Sequence, residues 1–458
     1  MFTPKPALAS QAHAIPRSGI RDVFDRVERV PDAISLCVGE PSFTAAPHIV
    51  EAACRSIQAG HTKYTNVLGI EGFRTAVASY SHRVKGLEYD PDTEVQAVDG
   101  ATIGLFLALK ATLDPGDEVI IPSPFFTSYD AEVMMCGGVP VYVALKPEHQ
   151  MRLNADDIEA AITPRTRAVI INSPGNPTGA VTPSDELARI ADVCKRHNLW
   201  AISDEVYHPF VFGTDETDDI DATDADRGDS DGTPAYGGKG QIENAAERAA
   251  AGTSSRTAVD RPFPSAPSIA ATPGMHDRTI VVESLSKTFA MTGWRIGYLL
   301  APAAVIEQTS KIAELMHSSV NSTAQYAGEA ALNGPMEPVV AMREDYRAKR
   351  RIVMDGLADC TAVRLIEPEG AFYAFVDIRA TRMDSDTFAR RLLDETNVAV
   401  VPGTAFGAEG EGFVRLSYAG DADELREGVR RLAEFAMRHG DPLLGRHTPA
   451  YHHLEIMA

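Results

Sequence analysis

The sequence has few cysteines and no arrangement of them that indicates a covalent framework. Its five cysteines are an odd number, no two form a C-x-x-C pair, and none lies in a metal-like cluster. Such usage is typical of reduced thiols in a cytoplasmic protein rather than of a disulfide scaffold or a zinc site. We therefore expect a cytoplasmic protein with no structural metal.

Long apolar runs and an excess of positive charge are also missing. No run approaches the ~18 residues needed to cross a bilayer, and the N-terminus lacks the apolar core of a signal peptide. The formal net charge is −21, whereas nucleic-acid binding needs a basic surface. The sequence thus predicts neither a membrane protein nor a nucleic-acid-binding protein.

The sequence does contain a repeated alternation of short apolar runs and helical patterns, which begins near residue 94. Such alternation is typical of a mostly parallel sheet covered on both faces, so the predicted fold class is α/β. The predicted strands cover residues 94–98, 117–121, 139–144, 167–172, 199–203 and 278–283. Since ligands bind at the carboxyl ends of such strands, functional residues are expected in the loops that follow them.

The remainder of the chain predicts a second, smaller α+β domain. After Ala301 a long helical region extends to about Asp359. Two strand-like pieces follow, at 370–376 and 413–418, and a helix covers 422–438. With 458 residues, of which 44% are hydrophobic, two domains with substantial cores are expected.

The expected boundaries place an N-terminal segment, 1–44, against the small domain. The large domain covers 45–302, the small domain 303–440 and a tail 441–458. Within the large domain, 213–274 is rich in Asp, Gly, Ala, Ser and Pro and has almost no periodicity. Its closely spaced aspartates leave a cation-binding loop as an alternative, but no register supplies both the glycine and the glutamate of an EF-hand. A mobile, solvated acidic insertion is the prediction.

A lysine flanked by hydroxyl groups directly follows the last predicted strand of the sheet. In the motif S-L-S-K-T-F, burial of Lys287 at the sheet edge lowers the pKa of its amine and makes it a nucleophile able to form an imine. Ser284 and Ser286 offer hydrogen bonds to a phosphate, and Arg295 in G-W-R offers a bidentate contact to the same group. A lysine after a strand is by itself usually a surface residue, but this combination is far more specific.

Two further strand ends carry polar side chains. Asn172 and Asn176 stand in N-S-P-G-N-P-T-G, whose prolines and glycines fix a turn, and a plain turn is the alternative interpretation. Asp204 ends a hydrophobic strand, where a carboxylate is costly unless a cation pairs with it. A protonated pyridine nitrogen would be such a partner, with Tyr207 near the ring's phenolic oxygen. The alternative for Asp204 is a cap of a following helix.

Two weaker signals complete the set. Ala101 and Thr102 begin a helix after the first predicted strand, and the backbone N–H groups of its first turn can bind a phosphate. The side chain of Asp99, just before this helix, is expected to point away from that phosphate. Phe126 follows the second strand and offers a ring that stacks on a flat cofactor, although a core position is equally compatible. Four strand ends thus carry complementary groups: an anion-binding helix N-terminus, an amide, a carboxylate and a lysine. Together they fit a flat, phosphorylated, cationic cofactor that has an aldehyde.

With these motifs, the chain resembles the class I/II aminotransferases, enzymes of fold type I that use pyridoxal 5'-phosphate (PLP). The resemblance runs from about Ile15 to Met437, interrupted by the insertion. It implies a large domain with a mostly parallel seven-stranded sheet between helices, plus a smaller α+β domain. The sequences of residues 202–207 and 289–297 are most similar to those of archaeal aromatic or broad-specificity aminotransferases.

The resemblance implies a role for each residue around the cofactor. Lys287 carries PLP as a Schiff base and shuttles the substrate's proton, and Asp204 pairs with the pyridine nitrogen. Tyr207 and Asn176 donate hydrogen bonds to the ring's O3′, and Phe126 stacks on the ring. The residues implied to hold the phosphate are Ala101, Thr102, Ser284, Ser286 and Arg295.

The resemblance also implies substrate contacts and a shared active site. Arg415, in G-F-V-R-L-S, corresponds to the clamp on the substrate's α-carboxylate, with a surface arginine on an edge strand as the alternative. Asn176 and Gly39 line the substrate side of the site. Tyr64 corresponds to a tyrosine that reaches the phosphate of the neighbouring subunit, which implies a homodimer.

The implied function is transfer of an amino group from an aromatic amino acid, or from a broad range of them, to a 2-oxo acid such as 2-oxoglutarate by a ping-pong mechanism. Aspartate-type relatives often carry lysine where this chain has Thr102, and threonine cannot pair with a distal carboxylate. A C–S β-lyase, a decarboxylase and an aspartate aminotransferase stay open as alternatives. A sensor domain of a transcription regulator is disfavoured by the acidic charge and by the few residues before the match.

Overall fold

The computed structural model describes residues 7–16, 19–213 and 261–440. Most of the predicted acidic insertion, from 214 to 260, and the tail, 441–458, lie outside these residues. The last part of the predicted insertion is packed in the core through Phe263 and Ile269, so the prediction of a mobile segment up to residue 274 is wrong for 261–274. The helices of the described part are α1 (Ser10–Ala14), α2 (Gly19–Val27), α3 (Pro47–Gln58), α4 (Glu71–Lys85), α5 (Ala101–Thr112), α6 (Tyr129–Met135), α7 (Ala155–Ala160), α8 (Ser184–His197), α9 (Leu285–Thr288), α10 (Ala303–His317), α11 (Ser322–Asn333), α12 (Glu337–Ala358), α13 (Ser385–Thr396) and α14 (Ala422–His439). The strands are β1 (Ile34–Ser35), β2 (Val95–Val98), β3 (Glu118–Ser123), β4 (Val139–Ala144), β5 (Thr166–Asn172), β6 (Trp200–Asp204), β7 (Thr279–Ser284), β8 (Gly297–Leu300), β9 (Arg364–Ile366), β10 (Tyr373–Asp377), β11 (Val398–Ala399), β12 (Val401–Pro402) and β13 (Phe413–Ser417).

The larger sheet contains seven strands in the order β2-β8-β7-β6-β5-β3-β4. Strands β3 to β7 pair in parallel, whereas β8 runs antiparallel to both β2 and β7. The prediction of a mostly parallel seven-stranded sheet is therefore confirmed. The apolar runs predicted six of these strands to within a residue or two, and they missed β8, which is only four residues long.

Helices cover both faces of this sheet, and the apolar runs reflect that burial. Neighbouring residues of β7 point to opposite sides: Val281 packs in a cluster with Phe73 of α4, while Val282 packs in another with Leu105 of α5. Every residue of β3, β7 and β8 is buried. A strand buried on both faces favours continuous apolar sequence over alternation, which is the pattern in this chain.

The second sheet is small and antiparallel, with the order β12-β13-β10-β9. Beside it, β1 pairs in parallel with β11, Ile34 opposite Val398. The two predicted strand-like pieces form β10 and β13. Strands β9 and β12 were not predicted because three and two residues are too short to show an alternating pattern.

The region predicted as one long helical stretch after Ala301 is divided into three helices, α10 to α12. Asn321 begins α11, because its side chain accepts a hydrogen bond from the backbone N–H of Ala324. Pro338 lies in the first turn of α12, where its missing N–H costs nothing. In the part of the chain that the structure describes, no helix is long and apolar enough to cross a membrane.

Candidate active site

A cavity of about 220 Å³ lies at the carboxyl ends of strands β5, β6 and β7 and beside the N-terminus of α5. All but one of the site residues predicted from the sequence line it: Gly39, Ala101, Thr102, Phe126, Asn176, Asp204, Tyr207, Ser284, Ser286, Lys287, Arg295 and Arg415. The exception is Tyr64, whose surface is 86% exposed. A parallel sheet brings these residues together because its strand ends share one edge.

Lys287 lies within α9, the single helical turn that follows β7. Its Nζ donates a hydrogen bond of 2.6 Å to the carbonyl oxygen of Gly39. Burial is the main cause that lowers the pKa of this amine to about 8, while Glu40 and Asp204 act in the opposite direction. At pH 7 roughly a tenth of the amine is therefore neutral, far more than for an ordinary lysine, and the neutral amine is the form that attacks an aldehyde.

Asp204 ends β6 and is held inside the protein by two donors. The hydroxyl of Tyr129 donates to its Oδ2 at 2.6 Å, and the backbone N–H of Val206 donates to its Oδ1 at 3.4 Å. Burial raises the pKa of this carboxyl to about 6 despite both hydrogen bonds. Because residues 206–209 form a turn rather than a helix, Asp204 does not cap a helix.

The loop after β5 supports the neighbouring strand end. Asn172 donates from Nδ2 to the carbonyl oxygen of Asp204 at 3.2 Å, and its Oδ1 accepts from the backbone N–H of Asn176 at 2.9 Å. The side chain of Asn176 therefore projects into the cavity from a fixed position. The hydroxyl groups of Tyr207 and Tyr373 are hydrogen-bonded at 3.0 Å on the same side.

Arg415 is buried, with only 1% of its surface exposed, in the interior strand β13 of the second sheet. Its Nη1 donates to Asn176 Oδ1 at 3.0 Å and its Nη2 to the carbonyl oxygen of Cys37 at 2.7 Å. The guanidinium carbon lies 4.5 Å and 4.8 Å from the ring centres of Tyr373 and Phe406. The alternative of a surface arginine on an edge strand is therefore wrong.

The end of the cavity beside the N-terminus of α5 carries groups that favour an anion. Gly100 precedes α5 with a positive φ of 84°, and a Cβ there would lie 2.5 Å from Nη2 of Arg295. Arg295 is fixed by hydrogen bonds to the carbonyl oxygens of Thr292 and Asp99, at 3.0 Å and 3.2 Å. The side chain of Asp99 lies 3.7 Å from the ring of His317, which accounts for its absence from the cavity lining.

The hydroxyl groups of Ser284 and Ser286 lie 2.7 Å apart at this same end. Together with the helix N-terminus and the guanidinium of Arg295, they form a set of donors suited to a phosphate. The ring of Phe126 lies on the cavity wall, edge-on to Tyr129 with 5.6 Å between ring centres.

Several residues of the site carry no clear signal in the sequence. Tyr129 stands three residues after Phe126 at the start of α6, and that spacing is the only hint of its contact with Asp204. Tyr373 lies in β10 and reaches the cavity from the second sheet. Ile20 and Phe24 belong to α2 and supply an apolar part of the wall.

The residues present fit PLP. The buried amine of Lys287 suits its aldehyde, the buried carboxyl of Asp204 suits its ring nitrogen, and the narrow cradle at Gly100 suits its phosphate. Arg415 Nε is buried and has no hydrogen-bond partner among the described residues. Each Nη nitrogen also keeps a second N–H beyond its hydrogen bond to Asn176 or Cys37, so this guanidinium in the cavity wall has donors left for a carboxylate.

Comparisons with known proteins agree with this chemistry. The family model described as aminotransferase class I and II matches residues 31–432. The aromatic-amino-acid aminotransferase 2 of Thermococcus litoralis is 35% identical over 93% of this chain and 97% of its own length. The aspartate aminotransferase of Pyrococcus abyssi shows the same identity and the same coverage of both chains.

A solved structure agrees as well. The aromatic aminotransferase from Pyrococcus horikoshii is 37% identical to this chain and has a TM-score of 0.76. The match covers 91% of this chain and 99% of that structure. The resemblance to archaeal aminotransferases is thus confirmed, for both aromatic and aspartate enzymes. The chain belongs to the class I and II aminotransferase family and is a PLP-dependent transferase of amino groups.

Proposed function

We propose that this aminotransferase takes amino groups from aromatic amino acids, or from a broad range that includes them, and passes them to a 2-oxo acid such as 2-oxoglutarate in the cytoplasm. The observation that carries the proposal is that Lys287, Asp204 and Arg415 line one cavity. An amine, a carboxyl and a guanidinium are the three groups needed to hold a cofactor aldehyde, its ring nitrogen and a substrate carboxylate.

PLP, when bound, supplies an aldehyde that condenses with amines and a ring that accepts electrons. In this proposal, Asp204 holds the ring nitrogen, while Tyr207 and Asn176 donate to the phenolic oxygen. Phe126 covers one face of the ring. The phosphate contacts are assigned to Ala101, Thr102, Ser284, Ser286 and Arg295.

Lys287 moves the proton that defines the reaction. With the cofactor bound, its amine would remove the proton from the substrate's α-carbon and would return a proton on the cofactor side. A pKa of about 8 suits both directions of this transfer near neutral pH. Tyr129 keeps the carboxyl of Asp204 in place during the exchange.

Arg415 orients each substrate in turn through its α-carboxylate. Its guanidinium is fixed in the cavity wall by Asn176 and by the Cys37 carbonyl, so its remaining N–H groups are offered to a carboxylate from a set position. Gly39 forms part of the same wall, and a Cβ there would lie 2.6 Å from the hydroxyl of Tyr373. Amino acid and 2-oxo acid share this carboxylate, so they use one site alternately in a ping-pong mechanism.

The specificity proposal rests on the rest of the cavity wall. Ile20, Phe24 and Phe126 supply apolar surface, and Thr102 offers no cation for a distal carboxylate. The cations that line the cavity from the described residues are Lys287, Arg295 and Arg415, and each is assigned above. An apolar wall favours aromatic side chains, and the relatives named for aromatic substrates are compatible with this choice.

We also propose a homodimer in which Tyr64 of each subunit contacts the phosphate in the other. Its exposure of 86% leaves the ring available to a partner. The organisation proposed is a segment 1–44 packed on a small domain 303–440, with a large domain 45–302. The pairing of β1 with β11 supports the packing of the N-terminal segment, and the separate four-stranded and seven-stranded sheets support a division into two domains.

The test is Lys287→Ala, with Lys311→Ala as the matched control. Lys311 is an exposed lysine of α10 whose ammonium contacts Glu307 and Gln308 of the same helix. We expect the visible absorbance of the lysine-bound cofactor to vanish and amino transfer to fall at least ~1,000-fold in Lys287→Ala, with no change in the control. A retained absorbance band would refute the assignment of Lys287.

Substrate class is tested with a panel of tyrosine, phenylalanine, aspartate, alanine, methionine and kynurenine, each with 2-oxoglutarate. Phenylalanine or tyrosine is expected to give the highest kcat/KM. A preference for aspartate would favour the aspartate alternative. Release of pyruvate and ammonia, or of carbon dioxide, without a 2-oxo acid would favour a β-lyase or a decarboxylase.

A further inference from the structure

A second cluster of charged groups lies directly behind the strand ends that carry Asp204 and Lys287. The ammonium of Lys85, at the last position of α4, donates to Glu205 Oε2 at 2.7 Å and also to Glu283 Oε1. All three side chains are only 2–3% exposed. One buried cation is thus shared between two buried carboxylates, an arrangement that water does not screen.

Each carboxylate is adjacent in sequence to a residue of the active site. Glu205 follows Asp204 at the end of β6, and Glu283 precedes Ser284 in β7. The backbone N–H of Glu205 donates to the carbonyl oxygen of Val282 at 3.1 Å. Because neighbouring side chains on a strand face opposite ways, Glu205 and Glu283 extend away from the cavity to the Lys85 side.

The remaining contacts hold the cluster rigid. Glu205 Oε1 accepts hydrogen bonds from Ser203 at 2.8 Å and Ser268 at 2.6 Å. His208 is hydrogen-bonded through Nδ1 to Ser265 at 3.0 Å and through Nε2 to Tyr80 at 3.2 Å. Residues from α4, β6, β7 and the segment after 261 therefore meet at one point.

The electrostatics connect this cluster with the cavity. Burial raises the pKa of Glu283, with Glu205 and Asp204 adding to the effect, whereas the ammonium of Lys85 favours the charged carboxylate. The two carboxylates hold the pKa of Lys85 above its ordinary value although burial acts against them. Burial lowers the pKa of His208 well below its ordinary value, so its ring is neutral. The other titratable groups whose pKa values these carboxylates raise are Asp204, Tyr80, Tyr89 and Tyr298.

We propose that Lys85, Glu205 and Glu283 are positioning residues, which join the ends of β6 and β7 and set the electrostatic potential at the cofactor site. The inference rests on the proposed roles of Asp204 and Lys287. Lys85 touches neither substrate nor cofactor in this assignment. Its ammonium offsets the charge of Glu205 and Glu283. These two residues are adjacent in sequence to Asp204 and Ser284, which are assigned contacts with the cofactor.

The test uses the cofactor-loaded enzyme and the pH midpoint of its visible absorbance change. In Lys85→Met, the loss of a buried cation makes the potential more negative and favours the protonated form of the absorbing group. We expect the midpoint to rise by at least about 0.5 pH units. We also expect kcat to fall about tenfold while KM changes less than about twofold.

Two further variants separate electrostatics from simple loss of structure. Glu283→Gln removes a negative charge, so the midpoint is expected to fall. The double variant Lys85→Met/Glu283→Gln removes one charge of each sign, so its midpoint is expected to return toward the wild-type value. Lys311→Met, which removes an exposed lysine, is the matched control and is expected to leave the midpoint unchanged.

The outcomes distinguish this inference from the proposed function. If Lys287→Ala keeps the visible band, the assignment of the active-site lysine fails. If Lys287→Ala loses the band but Lys85→Met and Glu283→Gln keep the wild-type midpoint, only the positioning role fails. A Lys85→Met protein that does not fold leaves Glu283→Gln to decide, and an unchanged midpoint in that variant overturns the inference.

Discussion

At the scale of single residues, Asp204 shows how a function can oppose stability. Its carboxyl is buried at the end of β6, and burial raises its pKa from 3.8 to about 6. Such a group is stabilised by protonation in the folded state. Its contribution to stability is therefore fully present below about pH 4 and is lost as the pH rises through about 6.

We accordingly expect Asp204→Asn to stabilise the protein without cofactor at pH 8, by about 1–3 kcal/mol, because the amide has no charge to bury. At pH 4 the gain is expected to disappear. Urea unfolding at both pH values measures the difference. The same substitution should lower kcat at least about 100-fold, since the ring nitrogen loses its counter-charge.

Asp394→Asn is the control for this prediction, because Asp394 is an exposed acid of α13. It is expected to change neither stability nor activity. A gain in Asp204→Asn that is the same at pH 4 and pH 8 would contradict the assignment of its cause to a buried charge.

At the scale of elements, α2 brings residues from the N-terminal part of the chain to the cavity. Val23 is buried in a small core with Phe406 and Leu393, and this contact fixes the helix. Ile20 and Phe24, four residues apart, lie on one side of the helix and line the cavity. We therefore expect this helix to limit how large and how apolar a substrate side chain can be.

Phe24→Ala is expected to lower kcat/KM for phenylalanine or tyrosine about tenfold, because the substrate ring loses an apolar contact worth roughly 1–3 kcal/mol. Alanine, which does not reach that wall, should be affected less than about twofold. Steady-state kinetics with both donors tests this. Arg21→Ala, on the exposed side of the same helix, serves as the control, and an equal loss for both donors would exclude α2 as a specificity element.

At the scale of the whole molecule, the cavity gathers residues from both sheets. Arg415 and Tyr373 come from the antiparallel sheet, whereas Asp204 ends β6 of the seven-stranded sheet and Lys287 follows β7 of the same sheet. Any relative movement of the sheets therefore changes the distance between Arg415 and Lys287. Tyr64 is the remaining predicted contact, and it requires a second subunit.

We expect a particle of twice the 49.3 kDa chain mass in sedimentation experiments. Tyr64→Phe is expected to raise the dissociation constant of PLP about 10- to 100-fold, because a hydrogen bond to a charged phosphate is lost. Tyr142→Phe, which changes a tyrosine on the exposed edge strand β4, is the control. A monomer, or unchanged affinity in Tyr64→Phe, would contradict the shared site.

Short-range sequence patterns determined much of the fold and of the site. The apolar runs placed six strands, and the polar residues after them were correctly expected at one sheet edge, as with Asn176, Asp204 and Lys287. This inference works because a parallel sheet aligns its carboxyl ends, so residues that directly follow strands become neighbours whatever the loop lengths.

Only the tertiary structure decided which side chains support that edge. Tyr129 contacts Asp204 across 75 residues, and Lys85 contacts Glu283 across 198. Neither pair has a local pattern, because a tyrosine or a lysine at a helix end is compatible with solvent as well as with burial. The packing of the helices on the sheet determines which residue such a side chain contacts. That packing depends on the summed contacts of the whole core rather than on any segment alone.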